Sequence, residues 1–352
     1  MHKRVYNRYI EKTAGHKSHK KEVNQMKKIL SLILVAVMCC FSVAALASCN
    51  TTDTFVVAMS PDFAPMEFVD TTKSGNDKYV GFDVLLANYI AKDMGKELVI
   101  KPMSFDACMA AVQAGNVDAA ISGFSWTAAR AETFEISDYY IAGENETEQV
   151  VITTKANAGN WTTAESYAGK KVGAQGGSLQ ELLVTEQLVT KGAELVKYED
   201  INMAYTALTN GTIDALAVAK GNADALIATT KDVEDETKKG EFSGFDFIVE
   251  EKYKNNVVLV QKGNTDMLKA INEALAKAMA AKVYDPWYEA CKTYGDVTSI
   301  DEYGYTDDGK KIVGWDENDN PIVDENYVAG EATAEDAAKK VAYEKFLKEI
   351  KG

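Results

Sequence analysis

The chain has 352 residues, 46% hydrophobic and 26% charged, which is enough for two domains with cores of their own. Its formal net charge of −15 at neutral pH excludes nucleic acid as a partner, because binding it requires a basic face. The three histidines, His2, His16 and His19, all lie near the N-terminus. A chain cleaved beyond them can neither run a Ser-His-Asp mechanism nor build a His-ligated zinc site.

Residues 1–25 are basic, polar and without periodicity, and Met26 is the better start. Met26-Lys27-Lys28 opens a positive segment, Ile29 to Ala45 is apolar apart from Ser31 and Ser42, and Leu46-Ala47-Ser48-Cys49 follows. This is the pattern of a secretory signal with a lipobox. It predicts cleavage before Cys49 and lipid on its thiol, which tethers a protein to a membrane without a spanning helix. The first 48 residues carry nine Lys/Arg and two Asp/Glu, so the cut leaves 29 bases against 51 acids, a balance of −22. Cys108 and Cys291 are expected as two buried thiols, although export would permit a disulfide.

Thr54–Met59 reads as a buried strand, and Ser60-Pro61-Asp62-Phe63-Ala64-Pro65 as a rigid loop. Apolar spacing over 84–94 predicts a helix, with Asp83 as N-cap and Gly95 as its stop. Glu97–Lys101 is a strand, and a helix over 105–114 follows Phe105. A short strand ending at Ile121 leads into Ser122, Gly123 and Ser125, then Trp126, then a helix starting at Thr127 with Arg130 in its first turn. Further strands are expected over 149–154, 169–175, 195–198, 214–218, 245–249 and 257–260. Helices are expected from Gly176 to about Thr190, over 201–209, 267–282 and 286–294. Beyond residue 295, Tyr305 to Trp315 reads as a hairpin turning at Asp308-Gly309, and a last helix starts at Thr333. Asp316 to Asn320 lacks the Gly and the terminal Glu of a calcium loop, and no metal site is expected.

Strand-helix alternation predicts mainly parallel sheets, whose ligands bind beyond the carboxyl ends of the strands. Phe63, Phe105 and the stretch from Gly123 to Arg130 each follow such a strand. Small residues admit a ligand close to the backbone, hydroxyls donate, and the planar fork of Arg130 suits a carboxylate. Gly176-Gly177-Ser178 opens a helix, but its spacing is not that of a phosphate loop.

The segments Phe63 to Phe68, Val80 to Val84, Lys101 to Phe105, Ile121 to Glu132, Ser137 to Tyr140 and Gly169 to Gly173, in that order, resemble the bacterial extracellular solute-binding proteins for polar amino acids, the receptors of ABC importers. The resemblance spans roughly residues 54–285. It implies a two-domain α/β fold of the type II periplasmic-binding-protein kind, joined by a two-crossing hinge and acting as a monomer without cofactor. Residues 49–154 with 258–294 would form domain 1, 155–257 domain 2 and 295–352 an extension packed on domain 1. Phe63, Phe105 and Trp126 would sandwich the ligand. Arg130, with Ser122, Gly123 and Ser125, would hold its carboxylate, and Gln175, Ser178, Leu179 and the loop at Ala219 would close over it. The resemblance further implies an ABC permease as partner, a lipid-anchored place outside the cytoplasmic membrane, and no catalysis. Where the family commonly has an Asp for the ligand's α-ammonium, this chain has Ala219. Asp62, Glu144 or Asp200 would then substitute, or the ligand lacks an α-amino group. The alternatives are a periplasmic dehydratase on the same scaffold, or a sensory domain acting through a partner.

Overall fold

A computed structural model describes residues 53–140, 148–231, 233–295, 312–315, 321–323 and 334–352. The signal segment, Cys49, Glu144 and the first arm of the hairpin expected over 305–315 lie outside them. Within Asp53–Gly352 the strands are, in chain order, β1 (Thr54–Met59), β2 (Phe68–Val69), β3 (Tyr79–Val80), β4 (Glu97–Pro102), β5 (Ala119–Ala120), β6 (Phe134–Ile136), β7 (Gln149–Thr154), β8 (Lys171–Gln175), β9 (Glu194–Tyr198), β10 (Ala215–Ala219), β11 (Gly240–Asp246), β12 (Leu259–Gln261), β13 (Ile312–Trp315) and β14 (Pro321–Val323). The α-helices are α1 (Phe82–Asp93), α2 (Phe105–Gln113), α3 (Ala128–Thr133), α4 (Leu179–Leu183), α5 (Ile201–Thr209), α6 (Lys220–Thr229), α7 (Thr265–Ala280), α8 (Tyr284–Gly295) and α9 (Ala334–Lys351).

Two five-stranded sheets define two lobes, with strand orders β4-β1-β5-β12-β6 and β11-β7-β10-β8-β9. The pairings run four strands of each sheet in one direction and one against them, β12 in the first sheet and β7 in the second. Each opposing strand is the one that enters from the other lobe. Strand β7 was expected in the first domain; instead it pairs with β10 (Leu216 opposite Ile152) and β11. All six of its residues are buried, as befits an interior strand with a neighbour on each side. The first crossing therefore precedes Gln149 rather than following Thr154. The crossing segments meet each other: Tyr140 N–H donates to Asn256 O (2.9 Å) and Asn256 N–H to Tyr140 O (3.3 Å).

The first lobe closes around Phe82, which is fully buried, with ring centroids of Tyr284, Tyr140 and Trp287 at 5.8, 6.2 and 6.4 Å. Burying such a ring contributes about 1.5–3 kcal/mol. Gly81, not Asp83, is the N-cap of α1. Its φ of +126° and the Met66 carbonyl, 2.3 Å from where a Cβ would stand, both demand glycine. The carboxyl of Asp83 turns inward instead of capping. Gly95 ends the helix at φ +69°, as the sequence suggests. Helix α4 is shorter than expected and passes through a π-helical turn (Val184–Leu188) and a 3-10 turn (Val189–Lys191). Helix α6 was not anticipated.

Strand β13 pairs with β14, downstream. Helix α9 packs on α1 and α8. Its Lys340, 6% exposed, bonds the buried Asp70 at 3.0 and 3.2 Å and Thr72 Oγ1 at 3.1 Å, and Tyr294 OH also donates to Asp70. Tyr343 is fully buried edge-on to Tyr294 at 5.0 Å. The last helix of the extension is thus built into the first lobe. Cys108 and Cys291 are free and buried. No described helix is long and apolar enough to cross a membrane.

Candidate functional site

The loops after β1, β4, β5, β8 and β9 meet between the lobes and enclose one cavity. It is lined by Asp62, Phe63, Glu67, Phe105, Ser122, Gly123, Ser125 and Arg130 from the first lobe, and by Gln175, Ser178, Leu179, Gln180 and Ile201 from the second. The cavity measures about 20 Å³, room for a single water, so the lobes are closed on each other.

Thr127 caps α3 through Oγ1, which accepts the N–H of Arg130 at 3.2 Å. This cap sets Arg130 at the third helical position, 5% exposed. Its guanidinium donates to Ser125 O (2.5 Å) and, across the cleft, to Gly177 O (2.7 Å). Its carbon lies 5.2 Å from the Phe124 ring centroid and 5.6 Å from that of Phe105, the two rings being stacked at 4.4 Å. Aromatic faces and carbonyls hold the cation where it would otherwise be costly to bury.

Asp62 is the second charge at the cavity wall. Its Oδ1 accepts from Ser60 Oγ (2.9 Å), and its Oδ2 from Gln175 Nε2 (2.9 Å) and from Ile201 N–H at the start of α5 (3.0 Å), both in the second lobe. Burial, reinforced by repulsion from Asp200, pushes its pKa up to about 7 against these bonds. Asp200 itself caps α5 by accepting from Met203 N–H at 3.0 Å.

The wall of the first lobe holds a further acidic group, Glu67 at the cavity and Asp83 behind it. Ser122 Oγ donates to Glu67 Oε1 (2.6 Å) and accepts from Ser60 N–H (2.9 Å). Gly123 N–H (2.7 Å) and Tyr140 OH (3.0 Å) donate to Asp83 Oδ2. The proton donors of Ser122 and Gly123, expected to face a ligand, are therefore directed at carboxyls of the fold. Similarly, Gly177 N–H at the glycine turn donates to Glu181 Oε2 (2.7 Å), and Ser178 Oγ caps α4 through Glu181 N–H (3.1 Å).

Nine of the sequence-predicted residues, Phe63, Phe105, Ser122, Gly123, Ser125, Arg130, Gln175, Ser178 and Leu179, come together around this cavity. Two do not. Trp126 is half-buried, packs between the cores of both lobes and does not line this cavity. Ala219 is fully buried, its backbone paired with Gln149 and its methyl in the core. Beside it, Lys220 is engaged with Glu148 at 2.5 Å. Glu67, Gln180 and Ile201 were missed. An acid between Met66 and Phe68 in an apolar run was the legible signal for Glu67. Ile201 carried none, being an ordinary apolar residue at a helix start.

The two lobes, their crossed strands and a cleft holding an arginine and an acid define a type II periplasmic-binding-protein fold. The chain belongs to the bacterial extracellular solute-binding proteins, family 3, whose profile matches residues 55–290. It is 30% identical over 251 residues to a probable histidine-binding protein of Campylobacter jejuni, covering 68% of this chain and 92% of that one. It is 29% identical to the L-cystine-binding protein TcyJ of Escherichia coli, covering 64% and 77%. Among solved structures, it is similar to the substrate-binding protein AbpA of a Streptococcus pneumoniae amino acid ABC transporter bound to L-arginine (TM-score 0.58, 29% identity, 70% of this chain and 96% of that one). An ancestral arginine-binding protein bound to glutamine matches with TM-score 0.58 and 29% identity, covering 68% and 98%. The protein is a solute-binding protein and not an enzyme.

Proposed function

We propose that the protein is the lipid-anchored receptor of an ABC importer, tethered through Cys49 outside the cytoplasmic membrane, and that it closes over an amino acid in the cleft between its lobes. The observation that carries this reading is Arg130: a buried guanidinium on the first lobe whose cross-cleft bond goes to Gly177 of the second. On opening, that bond breaks, and a solute carboxylate takes the place of the carbonyl with a stronger, charge-assisted pairing. The cavity of about 20 Å³ requires such opening before any amino acid enters. Phe63 and Phe105 then flank the solute, while Gln175, Ser178 and Leu179 cover it from the second lobe.

Ala219 offers no carboxylate for a cationic group, Asp200 is engaged as a helix cap, and Glu144 lies outside the described residues. Asp62 lines the cavity and is the carboxyl placed there to meet a cation. A solute cation there replaces the proton that burial favours. The reading therefore specifies a zwitterionic or basic amino acid rather than a simple carboxylate.

Calorimetric titration with L-arginine, L-histidine, L-glutamine and L-cystine, and with the deaminated acid of each, tests this. Arg130→Ala weakens binding of every ligand at least about 100-fold, roughly 3 kcal/mol. Asp62→Asn removes the preference for amino acids over deaminated acids. Near-normal affinity in Arg130→Ala would sink the site assignment, and equal binding of both ligand sets by the parent protein would sink the role of Asp62.

A further inference from the structure

The carboxyls of Glu67 and Asp83 face each other in the wall behind the cleft, 1% and 0% exposed. The backbone brings them together: Asp83 N–H donates to Met66 O (2.8 Å), Phe82 N–H to Pro65 O (3.1 Å), and Gly81 lets the two chains touch. One oxygen of each acid is accounted for, Glu67 Oε1 by Ser122 and Asp83 Oδ2 by Gly123 and Tyr140. The other two, Glu67 Oε2 and Asp83 Oδ1, are buried with no donor from any other residue, and the two carboxyls are within hydrogen-bonding reach of each other. Two ionised carboxylates cannot sit side by side in a dry wall, because like charges at contact in low dielectric repel by several kcal/mol. A single proton placed between the leftover oxygens removes one charge and satisfies both atoms at once.

We propose that Glu67 and Asp83 share one proton between Glu67 Oε2 and Asp83 Oδ1, and that this acid pair is the positioning group that holds Ser122 and Gly123 at the wall of the cleft. The proton sits on Glu67, which donates to the Asp83 carboxylate. Burial and the Asp83 charge raise Glu67 well above the usual range, while Asp83 is pushed up to about 7 by burial. The ionisable groups facing the pair are Asp62 from the loop after β1, Tyr140 from the crossing segment, Cys108 on α2 and Cys291 on α8, with Arg130 lining the same cavity. The bonds to the two carboxyls come from a serine hydroxyl, a glycine N–H and a tyrosine hydroxyl, so the shared proton supplies the neutralisation. The inference does not depend on which solute binds.

Infrared spectra of the full chain at neutral pH test it without a ligand. A protonated-carboxyl C=O stretch is expected to persist in Asp62→Asn, which removes the contribution of Asp62 itself, and to be lost when Glu67→Gln is added to it. On raising the pH from about 6 to about 10 the band disappears and the melting temperature falls, because a group bound to its proton more tightly in the folded state loses its stabilising share as it ionises. In Glu67→Gln, whose amide N–H replaces the O–H, the melting temperature is flat over that range once Asp62 is also Asn. If Glu67→Gln does not fold, the Asp62→Asn chain decides alone. A band there that titrates above the ordinary carboxylate range supports the pair, and no band overturns it.

Discussion

At Gly81 a single hydrogen atom in place of a methyl decides whether the first lobe can form. A Cβ at this position would meet the Met66 carbonyl oxygen at 2.3 Å and its carbon at 2.7 Å, both backbone atoms that cannot swing aside. Gly81→Ala is expected to destabilise the protein by roughly 3 kcal/mol or more in urea denaturation, from the clash together with a φ that L-residues rarely adopt. The same contact sets Asp83 against Glu67, so the variant disturbs the wall of the cleft as well as the core. Arg130 shows a different economy of residues. Its position depends on one hydroxyl, that of Thr127, and its charge is tolerated in the interior because Phe105, Phe124 and two carbonyls surround it.

Among the elements, α9 carries the clearest energetic signature. Lys340 and Asp70 form a buried pair, with side chains 7% and 1% exposed, in which Thr72 and Tyr294 complete the bonding of the carboxylate. Asp70→Ala leaves the Lys340 ammonium buried without its counter-charge and is expected to cost about 3–5 kcal/mol. The double variant Asp70→Ala with Lys340→Met is expected to recover most of that loss, because no uncompensated charge remains. Thermal unfolding of the single and double variants checks both. An equal loss in the two would mean that α9 is held by Tyr343 and its apolar neighbours alone. The short helix α3 works on a smaller scale: it orients one functional side chain, and its stability comes from its cap and its neighbours rather than from its length.

Across the whole molecule, the buried acids pull the stability curve in two directions. Burial raises Asp70, but the bonds from Thr72, Tyr294 and Lys340 outweigh it and hold this carboxyl below its ordinary value. A depressed carboxyl adds stability above its unfolded pKa, and that share is lost as the pH falls through its folded value. Asp62, Glu67 and Asp83 are raised, the first and third to about 7, so their share is complete below the ordinary carboxylate range and is lost as the pH rises. Stability without ligand is therefore expected to peak in acid solution, at about pH 4, and to decline towards pH 8 or so. Melting temperatures measured across that range check this. A curve still rising from about pH 5 to about pH 8 would contradict the raised acids.

The periodicity of apolar residues over 84–94 and 267–282 marked the helices found at Phe82–Asp93 and Thr265–Ala280, because a helix buries one stripe and that stripe is written in the order of residues. Loops after strand ends marked Phe63, Phe105, Ser122 and Arg130, since open α/β sheets gather such loops on one edge. These features are local, and local order suffices to read them. The lobe of β7 was not local: a strand of this composition fits either sheet, and only the pairing with β10 and β11 decides between them. Nor was the direction of the Asp83 side chain, which a helix start presents as a cap until Gly81 and Met66 turn it inward. Trp126 and Ala219 followed the same rule, each adjacent in sequence to cleft residues yet drawn into the core by the packing around it. By itself, then, the order of residues determined most of the elements and, through the family resemblance, the two-lobed class and the arginine at the cleft. Only the tertiary structure decided which side chains face the cavity and which acids face each other, because that depends on contacts between segments distant in the chain.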